Sequence, residues 1–154
     1  MNTICAYLIL DHKRCDDLFN RAETSIAQRN WDDASDNFRL FHDALRQHIR
    51  MEEKVLLPAF MQAIPDGATP LSMLHVEHQQ IRGIADRMAE AIARLDPIDF
   101  VLHAETYTIL MQQHTMKEED MLYPLLDRVL DTRRAKVINA MSEYLDPDFN
   151  AVVG

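Results

Sequence analysis

The sequence predicts an all-α protein, an up-down-up-down four-helix bundle with a short C-terminal fifth helix. Three observations lead there. The 154 residues include only 3 Gly and 7% aromatics, with abundant Ala, Leu, Met and Ile, a composition that favours helix. Apolar residues recur at three- and four-residue spacing through long stretches of chain. The chain also repeats itself: His48-Ile-Arg-Met-Glu52-Glu53-Lys-Val-Leu-Leu57-Pro58 returns 66 residues later as His114-Thr-Met-Lys-Glu118-Glu119-Asp-Met-Leu-Tyr123-Pro124. The same 66-residue offset relates His12 to His78, and each half keeps 36 residues between its two histidines. The length suits one domain, residues 1–154, with a sizeable core.

The first helix is expected from about Thr3 to Gln28, capped by Asn2 or Thr3, with Leu8, His12, Cys15 and Phe19 facing inward. Asn30 to Asp33 is a polar break. The second helix runs from about Asp32 to Ile64, with Leu40, Phe41, Ala44, Leu45, His48, Met51, Glu52 and Val55 on its inner stripe. Pro58 interrupts that pattern. An interior proline removes a hydrogen bond and costs roughly 3 kcal/mol unless a kink absorbs it, and its recurrence at Pro124 predicts a kink used twice.

Pro65-Asp66-Gly67 is a loop, and Thr69 before Pro70 reads as N-cap and first turn of the third helix. That helix extends to about Leu95 with Leu71, Leu74, His75, His78, Ile81, Ala85 and Met88 inward. Asp96-Pro97 opens the fourth helix, to about Leu130, with Val101, Tyr107, Leu110, Met111, His114, Glu118, Met121 and Leu122 inward. Asp131-Thr132 opens the fifth, to about Tyr144, and the tail from Asp146 to Gly154 is expected to be loosely held.

Loop positions set the heights of the histidines. Asn30 lies 18 residues from both His12 and His48, and Asp96 lies 18 from both His78 and His114. At 1.5 Å per residue each pair sits about 27 Å from its turn. Residues four apart share a helix face, so His48 and Glu52, and likewise His114 and Glu118, aim at a common centre. The bundle therefore gathers His12, His48, Glu52, His78, His114 and Glu118 into one mid-core layer. Such a layer is costly without a bound cation. Imidazole and carboxylate donors suit iron, and equally zinc or manganese. Six donors fit one octahedral ion, but two carboxylates among four imidazoles are better suited to bridging two, and bundle cores are a known setting for dinuclear carboxylate sites.

The remaining candidates are ranked by face. Glu53 and Glu119 fall about 140° from their histidines and are read as solvent-facing or as outer partners of the site. His75 shares the face of His78 and is read as an outer or core histidine rather than a fifth nitrogen ligand. Asp16 is read as an outer partner, Tyr107 as a core tyrosine, and His42 and His103 as surface or rim residues. Cys5 and Cys15 match neither a disulfide framework nor a zinc knuckle, and free thiols fit a reducing cytoplasm. The apolar start, Ile4 to Leu10, lacks the features of a signal peptide. A net charge of −9 and a pI near 5.1 argue against nucleic-acid or membrane partners.

His12, the His48-x-x-x-Glu52 and His114-x-x-x-Glu118 pairs, His78 and the two Glu-Glu-x-x-Leu-x-Pro continuations resemble the hemerythrin-like (HHE cation-binding) domain over nearly the whole chain. The resemblance implies a non-haem centre of two iron ions, bridged by two carboxylates and an oxo or hydroxo group. Oxygen-carrying members have a His-x-x-x-His on the third helix; here Leu74 stands four before His78, and His75 stands three before it. The four-His, two-Glu set is closer to bacterial members linked to nitric oxide and iron-centre repair. Three functions follow as expectations: binding or sensing of O₂ or NO, di-iron oxidoreductase chemistry such as peroxidase activity or repair, and iron storage or donation.

Overall fold

A computed structural model describes residues 2–66 and 68–145, with only the backbone described at 68–71. The chain is all-α. Its helices are α1 (Ile4–Ala27), α2 (Trp31–Met51), α3 (Leu57–Ala63), α4 (Ala68–Ala93), α5 (Pro97–Lys117), α6 (Tyr123–Val129) and α7 (Arg134–Ser142). A π-helical segment, Glu52–Leu56, joins α2 to α3 without a break, and another, Glu118–Leu122, joins α5 to α6. The second and fourth rods are therefore each a single long helix widened at one place, and α7 is the short fifth. No helix among the described residues is long and apolar enough to cross a membrane.

The turns follow from the caps. Thr3, Asn30 and Asp96 each accept a hydrogen bond from a backbone N–H three residues on, satisfying donors that the first helical turn leaves open. Both hairpin turns also pass through a left-handed residue, Arg29 and Leu95, each at φ 56°. The N–H groups of Asn30 and Asp96 then reach back to Ser25 O and Ala91 O, closing the preceding helix. The two turns are copies at the 66-residue offset. α4 begins at Ala68, one residue before the expected Thr69 cap; the side chains of Thr69 and Leu71, residue Gly67 and the tail 146–154 lie outside the described residues.

A π segment lies at each place where the sequence predicts a kink. In a regular α-helix the Pro58 ring would strike the carbonyl of residue 54. One extra residue in the turn removes that conflict, and the Leu57 and Tyr123 N–H groups bond five residues back, to Glu52 O and Glu118 O. The widening also rotates the face that follows. Leu56, Leu57 and Phe60 are buried after the first segment, and Tyr123 and Leu126 after the second. Met121, expected inward, is 71% exposed, and Val55 and Leu122 are only half-buried. Leu40 and Val101 are also exposed, because each lies to the side of the stripe that its helix buries.

The core falls into two apolar clusters. One, near the Arg29 and Leu95 turns, holds Phe19, Ile26, Phe38, Phe41, Met88, Phe100 and Tyr107. The other, at the opposite end, holds Ile4, Leu8, Met51, Leu56, Tyr123, Leu126 and Met141. There Asp127 of α6 accepts from the N–H groups of Ile4 and Cys5 at 2.7 and 3.0 Å, tying the start of α1 to the fourth rod. Between the clusters lies a buried polar layer.

Candidate metal centre

The layer contains His12, His48, Glu52, His78, His114 and Glu118, none more than 7% exposed. His12 comes from α1, His48 from α2, His78 from α4 and His114 from α5, and each glutamate opens a π segment one turn beyond a histidine. Glu118 Oε1 lies 3.2 Å from His12 Nε2, and Glu118 Oε2 lies 3.2 Å from His114 Nε2. Glu52 Oε1 lies 3.1 Å from His78 Nε2 and 3.4 Å from His48 Nε2. The His12 and His48 rings are 4.5 Å apart, and those of His78 and His114 are 5.0 Å apart.

Among the described residues, two groups of donor atoms could each hold a cation. Glu52, His78, His114 and Glu118 offer atoms within 4.8 Å of one another, and so do His12, His48 and Glu118. Glu118 belongs to both. Two buried atoms of the layer, His48 Nε2 and Glu118 Oε2, make no hydrogen bond. Buried polar atoms are nearly always satisfied, so these two are missing a partner of another kind, and a cation fits.

An outer ring of carboxylates fixes the imidazoles. His12 Nδ1 donates to Glu119 at 2.6 Å, His48 Nδ1 to Asp11 at 2.7 Å, His78 Nδ1 to Glu53 at 2.9 Å and His114 Nδ1 to Glu77 at 2.8 Å. An ionised carboxylate only accepts, so the proton sits on Nδ1 and the Nε2 lone pair turns into the layer, the arrangement that orients metal-binding histidines. Arg14 supports Asp11, Arg82 supports Glu53 and Lys117 supports Glu77. Layer and ring together hold six carboxylates against those three cationic side chains, an excess of negative charge that bound cations would offset.

Glu53 and Glu119 are thus outer partners rather than solvent-facing groups. Asp11 and Glu77 were not anticipated, although they also obey the 66-residue offset and each directly precedes a histidine. The misleading feature is that each serves the histidine of the neighbouring helix, not its own. Asp16 is exposed and is not among the four Nδ1 partners. It lines a groove of about 590 Å³ with Phe19, Tyr107, Met111 and Glu119. Tyr107 is a core tyrosine, packed on Phe19 and Phe41. His75 is not a core residue: its side chain is 55% exposed and meets Glu53 at 3.1 Å from outside the layer. His42 and His103 are half-exposed at the rim. Burial pushes the Cys15 thiol up to about 12, so it stays protonated.

Protons compete for this layer. Burial disfavours charge on His114, but the Glu118 carboxylate 3.2 Å away, with Glu52 and the hydrogen-bonded Glu77, raises it to about 9. Burial likewise opposes charge on His48, and Glu52 and Asp11 overcome it, so it also rises well above its ordinary value. Asp11, Glu52, Glu53 and Glu77 shift the other way: burial opposes ionisation, and their cationic and hydrogen-bonding partners hold them low. In the metal-free protein the His114 contribution is therefore complete below about pH 6.5 and is lost as pH rises through about 9. The carboxylate contribution is present above about pH 4.5 and is lost on acidification. A cation needs deprotonated imidazoles, so the gap in melting temperature between loaded and chelated protein should be wider near pH 8.5 than near pH 6. Thermal denaturation at both values checks this; a gap that narrows with rising pH would argue against histidine ligation.

Searches of curated proteins and of solved structures each returned no match. A family model described as the hemerythrin HHE cation-binding domain matches residues 3–126, a span that contains the first three rods, most of the fourth, the polar layer and its carboxylate ring. With that match over most of its length, the chain belongs to the hemerythrin HHE cation-binding family.

Proposed function

We propose that the protein is a non-haem di-iron protein that binds or senses a small diatomic ligand, O₂ or NO, at a carboxylate-bridged dinuclear centre. The observation that carries this reading is the pair of overlapping donor groups with Glu118 in both. His78 and His114 with Glu52 would hold one ion, His12 and His48 the other, and Glu118 would bridge them. When bound, iron in such a nitrogen–oxygen set supplies coordination positions that a small neutral ligand can occupy.

The protein's own contribution is positional. The carboxylate ring holds each imidazole in one tautomer and orientation, and the apolar clusters above and below keep bulk water from the layer. The groove between α1 and α5 runs past Glu119, the carboxylate that holds His12, which gives a small molecule a short approach to the His12 side. The test uses protein loaded with iron, reduced anaerobically, and exposed separately to O₂ and to NO. An optical change within the mixing time is expected with at least one of them. Reduced, fully loaded protein that stays spectroscopically silent towards both would refute the reading.

A further inference from the structure

The two donor groups are unequal. One has four members and the other three, although the sequence repeat supplies the same residue types to both. The residue that breaks the symmetry is Tyr123. Its counterpart at the 66-residue offset is Leu57, which offers no polar atom. Tyr123 is fully buried, and the second π segment turns it onto the face of Glu118, five residues earlier. Its hydroxyl donates to Glu52 Oε2 at 2.8 Å and lies 3.2 Å from His12 Nε2.

Those distances have a coordination meaning. An octahedral ion with bonds of about 2.1 Å keeps neighbouring donors about 3 Å apart. The separations of His12 Nε2 from Glu118 Oε1 and of His12 Nε2 from Tyr123 Oη both fall near that edge length, at 3.2 Å. The phenolic oxygen thus lies at a donor-to-donor distance from His12 and offers the three-member group a fourth donor.

We propose that the Tyr123 phenolic oxygen is a direct ligand of the cation held by His12, His48 and Glu118, making the two metal positions chemically distinct. The inference rests on reading the layer as a metal centre. Coordination breaks the O–H bond and forms an oxygen–metal bond, and the displaced proton, now hydrogen-bonded to Glu52, passes to solvent. The residue that matches Tyr123 in the other half is Leu57, which has no donor atom to offer.

The experiment is spectroscopic. The protein is loaded with iron, oxidised with ferricyanide, and examined by visible absorption and resonance Raman. The wild type should show a phenolate-to-iron(III) charge-transfer band with enhanced tyrosine ring modes, and Tyr123→Phe should lack both. Tyr123→Phe should also bind its second ion about tenfold or more weakly. A hydrogen-bonding role alone would weaken binding without ever producing tyrosine modes, so the wild-type spectrum decides the matter however the variant folds. Two bound ferric ions with no tyrosine modes would overturn the ligand assignment and leave the metal centre standing. Failure to bind any ion would overturn the metal reading itself.

Discussion

Glu118→Ala should lose both metal ions. Glu118 is the one side chain present in both donor groups, with one oxygen toward His12 and the other toward His114. Its removal takes a donor from each group and leaves four imidazoles with only Glu52 between them. Glu52→Ala strips one group from four members to three and should lose at least one ion. His75→Ala should keep both, because that side chain touches only the outer face of Glu53 and lies largely in solvent. Elemental analysis after gel filtration measures all three, with circular dichroism to confirm retained helix. Two ions retained in Glu118→Ala would remove the bridging role. Loss from His75→Ala equal to that from the glutamate variants would show that the ligand set is wrong.

Removing the metal should produce the largest change in stability. A cation bound by the native state alone stabilises it by mass action, about 2.7 kcal/mol per site at a free concentration a hundredfold above its dissociation constant. Two sites give about 5 kcal/mol, and for a domain of this size each kcal/mol moves the midpoint by about 2–4 °C. Chelated protein should therefore melt about 10–20 °C lower. It should remain helical at room temperature, because the two apolar clusters do not depend on the layer between them. Equal melting temperatures for loaded and verified metal-free protein would mean that no ion is held in the buried layer.

Much of the fold is legible in the sequence because the relevant signals are local. Thr3, Asn30 and Asp96 announce helix starts through their own side chains, and the apolar spacing of α1, α2 and α4 marks the faces that pack. The six layer residues are legible for a further reason. An exact 66-residue offset, with turns midway between paired histidines, fixes their heights by rise per residue alone. The outer ring was half legible. Glu53 and Glu119 adjoin the motif, but Asp11 and Glu77 act across helices, and a partner on another helix leaves no mark in local periodicity.

By itself, then, the sequence determined the helical class, the order of the rods and the level of the polar layer, since these depend only on hydrogen-bonding pattern, capping chemistry and 1.5 Å of rise per residue. The tertiary structure decided which side chains turn inward beyond each glutamate. A regular helix would carry Met121 and Leu122 onto the face of Glu118; the π turn that accommodates Pro124 adds one residue and brings in Tyr123 instead, leaving Met121 in solvent. The tertiary structure also decided the pairing of each imidazole with a carboxylate from another helix. Both outcomes depend on packing between rods, where one extra residue in a turn, or one carboxylate reaching across an interface, costs little locally and is selected by the fit of the whole layer.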